Sequence, residues 1–168
     1  MYRIVTYHSD PGGGTYFKDR AEVLAQSCMR LGISLYSIHM DSDNWLDAVR
    51  SKPLAIRAAM EDIRQPFFFL DCDCSVLKAV DFDLTRWGVM LREDGSAHDF
   101  IHYVPYTEEA RQIVTRWIKE VEGHSNYGSH TAFHRATEAE AFDIIPDGYF
   151  ELAISDTESK TETYPNHV

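Results

Sequence analysis

At 168 residues the chain fits one domain with enough bulk to bury a core, and its 44% hydrophobic and 12% aromatic content is that of a globular protein. A formal net charge of -11, from 27 acids against 16 Lys and Arg, argues against a nucleic-acid backbone as the main partner, because such binding depends on clustered cations. Three cysteines, Cys28, Cys72 and Cys74, cannot form a fully paired disulfide framework. The start of the chain does not resemble a secretory signal, and no apolar run approaches the ~20 residues of a membrane span, so a reducing, cytoplasmic setting without a transmembrane segment is expected.

Residues Tyr2 to Tyr7 form a β-rich run that ends at His8-Ser9-Asp10-Pro11-Gly12-Gly13-Gly14, a loop whose glycines permit unusual backbone angles and close approach of a ligand. Apolar residues at Phe17, Ala21, Leu24, Ala25, Cys28 and Leu31 then repeat at helical spacing, with Gly32 as the stop. Ile33 to Met40 reads as a second strand closed by a polar turn, Asp41 to Asn44. Ser51 stands where a cap would, with Pro53 in the first turn of a helix running to about Ile63. Phe67 to Leu70 follows as a third strand. This β-α-β-α-β order predicts an α/β fold with a mostly parallel central sheet flanked by helices, in a single domain.

The second half is less regular. Trp87 to Leu91 and Phe100 to Val104 are expected strands, and a helix from about Thr107 to Val121 buries Ala110, Ile113, Val114, Trp117 and Val121. A turn from Gly123 to Gly128 leads into a helix over His130 to Phe142, whose buried side takes Phe133, Ala136 and Ala139 or Ala141. Ile144-Ile145 and Tyr149 to Ile154 are expected edge strands before a polar tail from Ser155 to Val168. The expected organisation is one compact catalytic domain, 1–154, and a tail, 155–168, able to fold back over the site.

The most informative stretch is Phe67-Phe68-Phe69-Leu70-Asp71-Cys72-Asp73-Cys74-Ser75-Val76, in which a run built for a buried strand stops on two carboxylates two residues apart. In an extended chain residues i and i+2 project to one side, so Asp71 and Asp73 converge on one divalent cation or one polyphosphate, while Cys72 and Cys74 point to the opposite face as small buried side chains. Hard oxygen ligands suit Mg or Mn better than Zn. At the mouth of a core strand an unpaired carboxylate is costly unless a cationic group is present. In sheets of this type ligands sit beyond the carboxyl ends of the strands, where the strand order switches; both the glycine loop and the acid pair lie at such ends.

The order YRIVTY, then Trp45 with KPLAIRAAM, then FFFLDCDCSV, resembles the nucleotide-diphospho-sugar transferases of the glycosyltransferase A-type fold, in which a short strand feeds a D-x-D motif. The resemblance spans about residues 1–83 and, more loosely, 100–142, where WIKEV followed by GSHTAFHRA is similar to a helix-loop-helix of that family. It implies metal-dependent transfer of a sugar from a nucleotide donor to an acceptor, which could be a carbohydrate, a protein or a small molecule, with Mn or Mg as the cation. Carried onto this chain, Asp73 holds the cation, Asp71 faces the ribose or a metal-bound water, Thr6 and Tyr7 line the base pocket, Lys52 approaches the donor's phosphates or sugar, and His167 is the third metal ligand. The chain departs from the family where an acid is expected before the late helix, since Ser129-His130 stands there. His130, Glu122 and His124 are the candidate substitutes for the catalytic base.

Two other classes fit parts of the pattern. LDCDCSVL also resembles the motif of haloacid-dehalogenase-like phosphatases, with Asp71 as nucleophile and Asp73 as general acid; that motif normally opens the first strand, whereas about seventy residues precede it here, and Asp81 and Asp83 follow too closely to complete a Mg site. A non-catalytic sugar-nucleotide-binding module is the third reading.

Overall fold

The computed structural model describes residues 2–152; the tail 155–168, with His167, lies outside the described residues. Among those described are eight strands and five α-helices. A six-stranded sheet has the order β2-β1-β3-β6-β5-β7. Its strands are β1 (Arg3–His8), β2 (Leu35–His39), β3 (Phe67–Leu70), β5 (Gly88–Leu91), β6 (Ala97–Val104) and β7 (Asp143–Ile144). The pairs β1–β2, β1–β3 and β5–β7 are parallel, whereas β6 runs antiparallel to both β3 and β5. The result is a single-domain, mixed but mostly parallel α/β sheet with helices over it, as the strand–helix alternation predicts.

Alternation along the central strands divides the core in two. Ile4, Phe68 and Leu70 project into one apolar layer, beneath α1 (Tyr16–Arg30), while Val5, Tyr7, Phe67 and Phe69 project into the other, beneath α3 (Lys52–Ile63), α4 (Glu108–Gly123) and α5 (Ser129–Ala136). All four residues of β3 are fully buried, which is why that strand reads as an unbroken apolar run. The small Ala55 and Ala59 of α3, both fully buried, let that helix sit close to the sheet.

Helix boundaries follow their end chemistry. Helix α1 ends at Arg30 and is closed off just beyond its cap by Gly32, whose φ of 66° is accessible to glycine; Gly32 N–H donates to Met29 O and Ile33 N–H to Cys28 O, closing the last turn. Thr107 caps α4 by accepting from Ala110 N–H at 3.2 Å, with Glu108 and Glu109 in the first turn suited to the helix dipole.

Several expectations need correction. Ser51 does not cap α3: a short helix α2 (Trp45–Arg50) runs directly into it, capped by Asn44, which accepts from Asp47 N–H at 3.0 Å, while Ser51 Oγ donates to Asp47 O. Helix α5 stops at Ala136 rather than Phe142; Thr137 Oγ1 donates back to Phe133 O at 2.8 Å, and Ala139 and Ala141, expected in the core, are exposed. Of the glycine loop, His8 and Ser9 line a cavity at this end of β1, whereas Gly12 and Gly14 are not among its lining residues. Asp10 turns back to accept from Phe17 and Lys18 N–H at 2.7 and 3.0 Å, so the loop also serves to cap α1 across a 3-10 turn at Pro11–Gly13. Finally, β4 (Cys74–Val76) pairs antiparallel with β8 (Phe150–Leu152) in a separate two-stranded sheet, tied to α1 by Val76 N–H donating to Ser27 Oγ at 3.0 Å.

One close approach fixes the join between the two halves of the sheet. A Cβ at Gly88 would lie 2.8 Å from Leu84 Cδ1, 2.9 Å from Tyr103 Cβ and 3.3 Å from Ile145 Cγ1. Gly88→Ala is therefore expected to cost about 1–3 kcal/mol by overpacking, read as a lower urea midpoint at unchanged slope.

Candidate active site

Strands β1 and β3 are neighbours, yet the chain leaves β1 on one side to form β2 and on the other to form β3. This is a topological switch point, and the carboxyl ends of both strands open onto a crevice there. A cavity of about 300 Å³ occupies it, lined by the ends of β1 and β3, by α2 and the start of α3, and by the start of α5. Its apolar wall includes Tyr7, Phe17, Trp45, Ala48 and Val49. Asp71, Asp73 and Asp99 and the ammonium of Lys52 make up its charged floor.

The acid pair converges in a different way from that expected. Strand β3 ends at Leu70, and Asp71 to Asp73 turn away from the sheet, closed by Cys74 N–H donating to Asp71 O at 3.1 Å. A turn, not strand alternation, brings both acids to the cavity. The same turn places Cys72 in the cavity wall with them, contrary to the opposite-face expectation, while Cys74 is fully buried in the second core layer. Burial and the flanking acids push the Cys72 thiol well up, so it is neutral and carries no thiolate chemistry.

Lys52 is the hub of the floor. It is only 4% exposed, and its Nζ donates to Asp71 Oδ2 at 2.7 Å, to Asp99 O at 2.8 Å and to Asp99 Oδ2 at 3.4 Å. Its three protons are thus directed at protein acceptors. Burial alone would depress the ammonium, but Asp71 and Asp99 outweigh it and keep Lys52 charged. Burial likewise acts to raise Asp99, yet Lys52 and the neighbouring imidazoles hold its carboxyl at about 2. Asp71 goes the other way: burial, reinforced by Asp99 and Asp73, outweighs Lys52 and pushes it up to about 7. One ammonium cannot offset three clustered carboxylates, and the deficit falls on Asp71. Asp73 is raised too, chiefly by burial.

The deficit has a geometric counterpart. Asp71 Oδ1 is buried and has no hydrogen-bond partner among the described residues. An orphaned carboxylate oxygen beside a second acid, in an otherwise apolar cavity, fits a hard divalent cation such as Mg or Mn. Asp71 and Asp73 are the described residues able to hold it; no group of three or more His, Cys, Asp or Glu is gathered for a metal among the described residues.

Behind the floor stands a buried chain of hydrogen bonds that fixes a tautomer. Trp87 Nε1 donates to His102 Nδ1 at 3.2 Å, and His102 Nε2 lies 3.0 Å from Asp99 O. An indole N–H only donates, so the His102 proton is on Nε2 and goes to the carbonyl that also accepts from Lys52. Burial lowers His102 to about 3, which keeps the ring neutral. Trp117 and Phe133 pack against it with ring centroids at 5.5 and 4.7 Å.

His130 forms the cavity's other rim. Its Nδ1 approaches Asp99 Oδ1 to 3.2 Å, close enough for attraction though not aligned as a hydrogen bond, and its Nε2 faces Arg92 Nη1 at 3.3 Å. Desolvation lowers its pKa, only partly opposed by Asp99. Arg92 can only donate, so neutral His130 carries its proton on Nδ1.

Of the residues expected from sequence, Tyr7, Lys52, Asp71, Asp73 and His130 line the cavity. Tyr7 OH donates to Ala48 O at 3.2 Å. Thr6 is fully buried behind the wall, with Oγ1 unpartnered among the described residues. Glu122 and His124 are exposed at the end of α4 and are not among the lining residues. His167 lies outside the described residues. Asp81 accepts from Tyr149 OH and Asp83 accepts from Tyr2 OH at 3.0 Å, neither in the cavity. Asp99 was not singled out from sequence, and His8, Trp45 and Ser129 were named there only within motifs, without a role of their own; an acid inside the otherwise β-rich AHDFIHYV was the one available signal for Asp99.

No protein-family model matches the sequence, and no curated protein matches it. The fold is similar to solved glycosyltransferase structures. One is a glycosyltransferase involved in the glycosylation of the major capsid of PBCV-1, at 14% identity and a TM-score of 0.61, over 85% of this chain and 80% of that one. Another is the glycosyltransferase GlyE of Streptococcus pneumoniae TIGR4, at 13% identity and TM-scores of 0.60 for its apo form and 0.59 for a second structure. The match covers 88% of this chain but 46% of GlyE, so the chain spans less than half the length of that protein. Among the described residues no helix is long and apolar enough to cross a membrane.

Proposed function

We propose that this chain is a glycosyltransferase that moves a sugar from a nucleotide-diphosphate-sugar donor to an acceptor, with Mn or Mg held by Asp71 and Asp73. The observation that carries the reading is the buried, unpartnered Asp71 Oδ1 beside Asp73, at the switch point of a sheet whose fold is shared with glycosyltransferases. When bound, the cation would offset the negative charge that gathers on the departing diphosphate.

The chain's own residues do the rest. Lys52 orients the Asp71 carboxylate by holding Oδ2, which leaves Oδ1 for the cation, and its charge partly offsets the three acids. Tyr7, Phe17 and Trp45 give the cavity an apolar wall suited to the donor's flat base and to excluding water. His130 is the neutral imidazole at the rim; its Nε2 takes the acceptor's proton once it turns from Arg92.

A thermal-shift panel of nucleotide sugars with and without Mn tests it. A donor that binds only the folded chain raises its melting point by mass action, and the expected result is a shift that needs both sugar nucleotide and Mn and is lost in Asp73→Ala. A Mn-dependent shift that persists in Asp73→Ala removes the acid pair from the mechanism.

The raised Asp71 pKa of about 7 sets the pH dependence. A proton and the cation compete for one carboxylate, so Mn affinity is expected to fall about ten-fold per pH unit below 7 and to level off above about 8. Stability of the metal-free chain has the opposite sign. A carboxyl raised above its ordinary 3.8 is protonated in the folded state while the unfolded chain has released that proton, so this contribution to stability declines as pH rises from about 4 to 7. Isothermal titration across pH 6–8.5 and urea melts without metal read the two trends separately.

A further inference from the structure

We infer that the amino end of α5 is a binding site for an oxyanion carried by the substrate, a sugar carboxylate in preference to a neutral hydroxyl. Part of the cavity wall is made by Gly128, Ser129 and His130, the cap position and first two residues of α5, an eight-residue helix. Gly128 offers no side-chain cap, so the N–H groups of the first turn lack an intrahelical partner and the positive end of the helix dipole faces the cavity wall.

A second observation points to a ligand there. Ser129 is 4% exposed, yet its Oγ is buried with no hydrogen-bond partner among the described residues. A buried hydroxyl left unmatched costs stability unless a bound group completes it. Serine at a helix start can donate from Oγ and from its own N–H to one oxygen-rich group. Away from the acid floor, the helix end has a cationic group nearby. Arg92, in the turn between β5 and β6, places Nη1 3.3 Å from His130 Nε2 and Nε 3.3 Å from His98 Nδ1, and His134 meets His130 edge-on, with ring centroids 4.4 Å apart. Asp99, whose Oδ1 lies 3.2 Å from His130 Nδ1, accepts from Lys52 through Oδ2, and Glu93 and Asp94 follow Arg92 in its turn. A neutral sugar hydroxyl would gain the N–H contacts without the attraction of Arg92 or the helix dipole; a carboxylate gains both.

The inference rests on the sugar-transfer reading only for the molecule that carries the oxyanion, so it is tested without nucleotide or metal. Full-length ¹⁵N-labelled protein is titrated at fixed ionic strength with D-glucuronate, D-glucose and inorganic phosphate, following the amides of Ser129, His130 and Thr131. Glucuronate is expected to shift these amides saturably and about ten-fold more tightly than glucose, and Ser129→Ala, a small change at a buried site, to weaken it about five-fold. Phosphate binding as tightly as glucuronate also supports the oxyanion site and assigns it to a substrate phosphate. Equal affinity for glucose and glucuronate, or no loss in Ser129→Ala, overturns the inference. A Mn-dependent sugar-nucleotide shift with these amides silent sinks this inference alone, whereas responsive amides with no such shift sink the transfer reading alone.

Discussion

Lys52→Met is expected to destabilise the chain by about 3–5 kcal/mol, the cost of leaving buried charge without its partner. The substitution keeps the aliphatic stem but removes the ammonium that donates to Asp71 and Asp99 at 2.7–3.4 Å. Asp99, now held ionised at about 2, would lose its principal counter-charge, and the carbonyl of Asp99 would lose the ammonium while keeping His102. For a domain of this size the loss corresponds to a fall in melting temperature of about 10 °C. Urea unfolding at pH 7.5 measures it. A change below about 0.5 kcal/mol would mean that water, and not Lys52, compensates these acids.

Asp71→Asn should behave in the opposite way, with stability within about 1 kcal/mol of the parent and Mn-dependent donor binding weakened more than about 100-fold. The amide oxygen can still accept from Lys52, and Lys52 keeps Asp99, so no buried charge is orphaned. The substitution removes a carboxylate that burial and two neighbouring acids already push to about 7, so at pH 8 it relieves repulsion that the fold otherwise bears. Sites built for a cation commonly carry such a local cost. The two variants together separate roles that a single substitution would confuse: Lys52 supports the fold and aims the carboxylate, whereas Asp71 serves the ligand. Parallel urea melts and titrations of Mn with sugar nucleotide give both numbers. Unchanged donor affinity in Asp71→Asn, or a stability loss as large as that of Lys52→Met, contradicts this division.

How much of this was legible in the sequence depends on how local each signal is. The four apolar residues of β3 and the periodic faces of α1, α3 and α4 announce themselves because burial on both sheet faces, or on one helix face, is written within a few neighbouring residues. That is enough to place Asp71 and Asp73 at a strand's carboxyl end. The turn that aims them was not legible, because Cys74 N–H bonds back to Asp71 O only once β4 leaves to pair with β8, residues 74–76 against 150–152. Three-residue strands paired over such a separation leave no periodic trace. Asp99 escaped for a similar reason: its contacts with Lys52 span 47 residues, and an acid within a strand reads as surface until its partner is known. In the glycine loop the signal lay beside the glycines, in His8 and Ser9, which line the cavity. Glycines after a first strand suggested a ligand cradle, but Asp10 places its carboxylate at the α1 N-terminus that a phosphate would otherwise have used.

The central claim is that a divalent cation and a nucleotide's diphosphate meet at Asp71 and Asp73. Paramagnetic broadening by Mn in the ¹⁵N-labelled protein, with UDP present and Mg as the diamagnetic control, tests it most directly, because the effect marks amides near the ion whatever the acceptor is. The account predicts loss of the Cys72, Asp73 and Ser129 amide signals at substoichiometric Mn, restored in Asp71→Asn. Broadening centred on exposed acids such as Glu108 and Glu109, with the Asp71–Asp73 turn untouched, would contradict it.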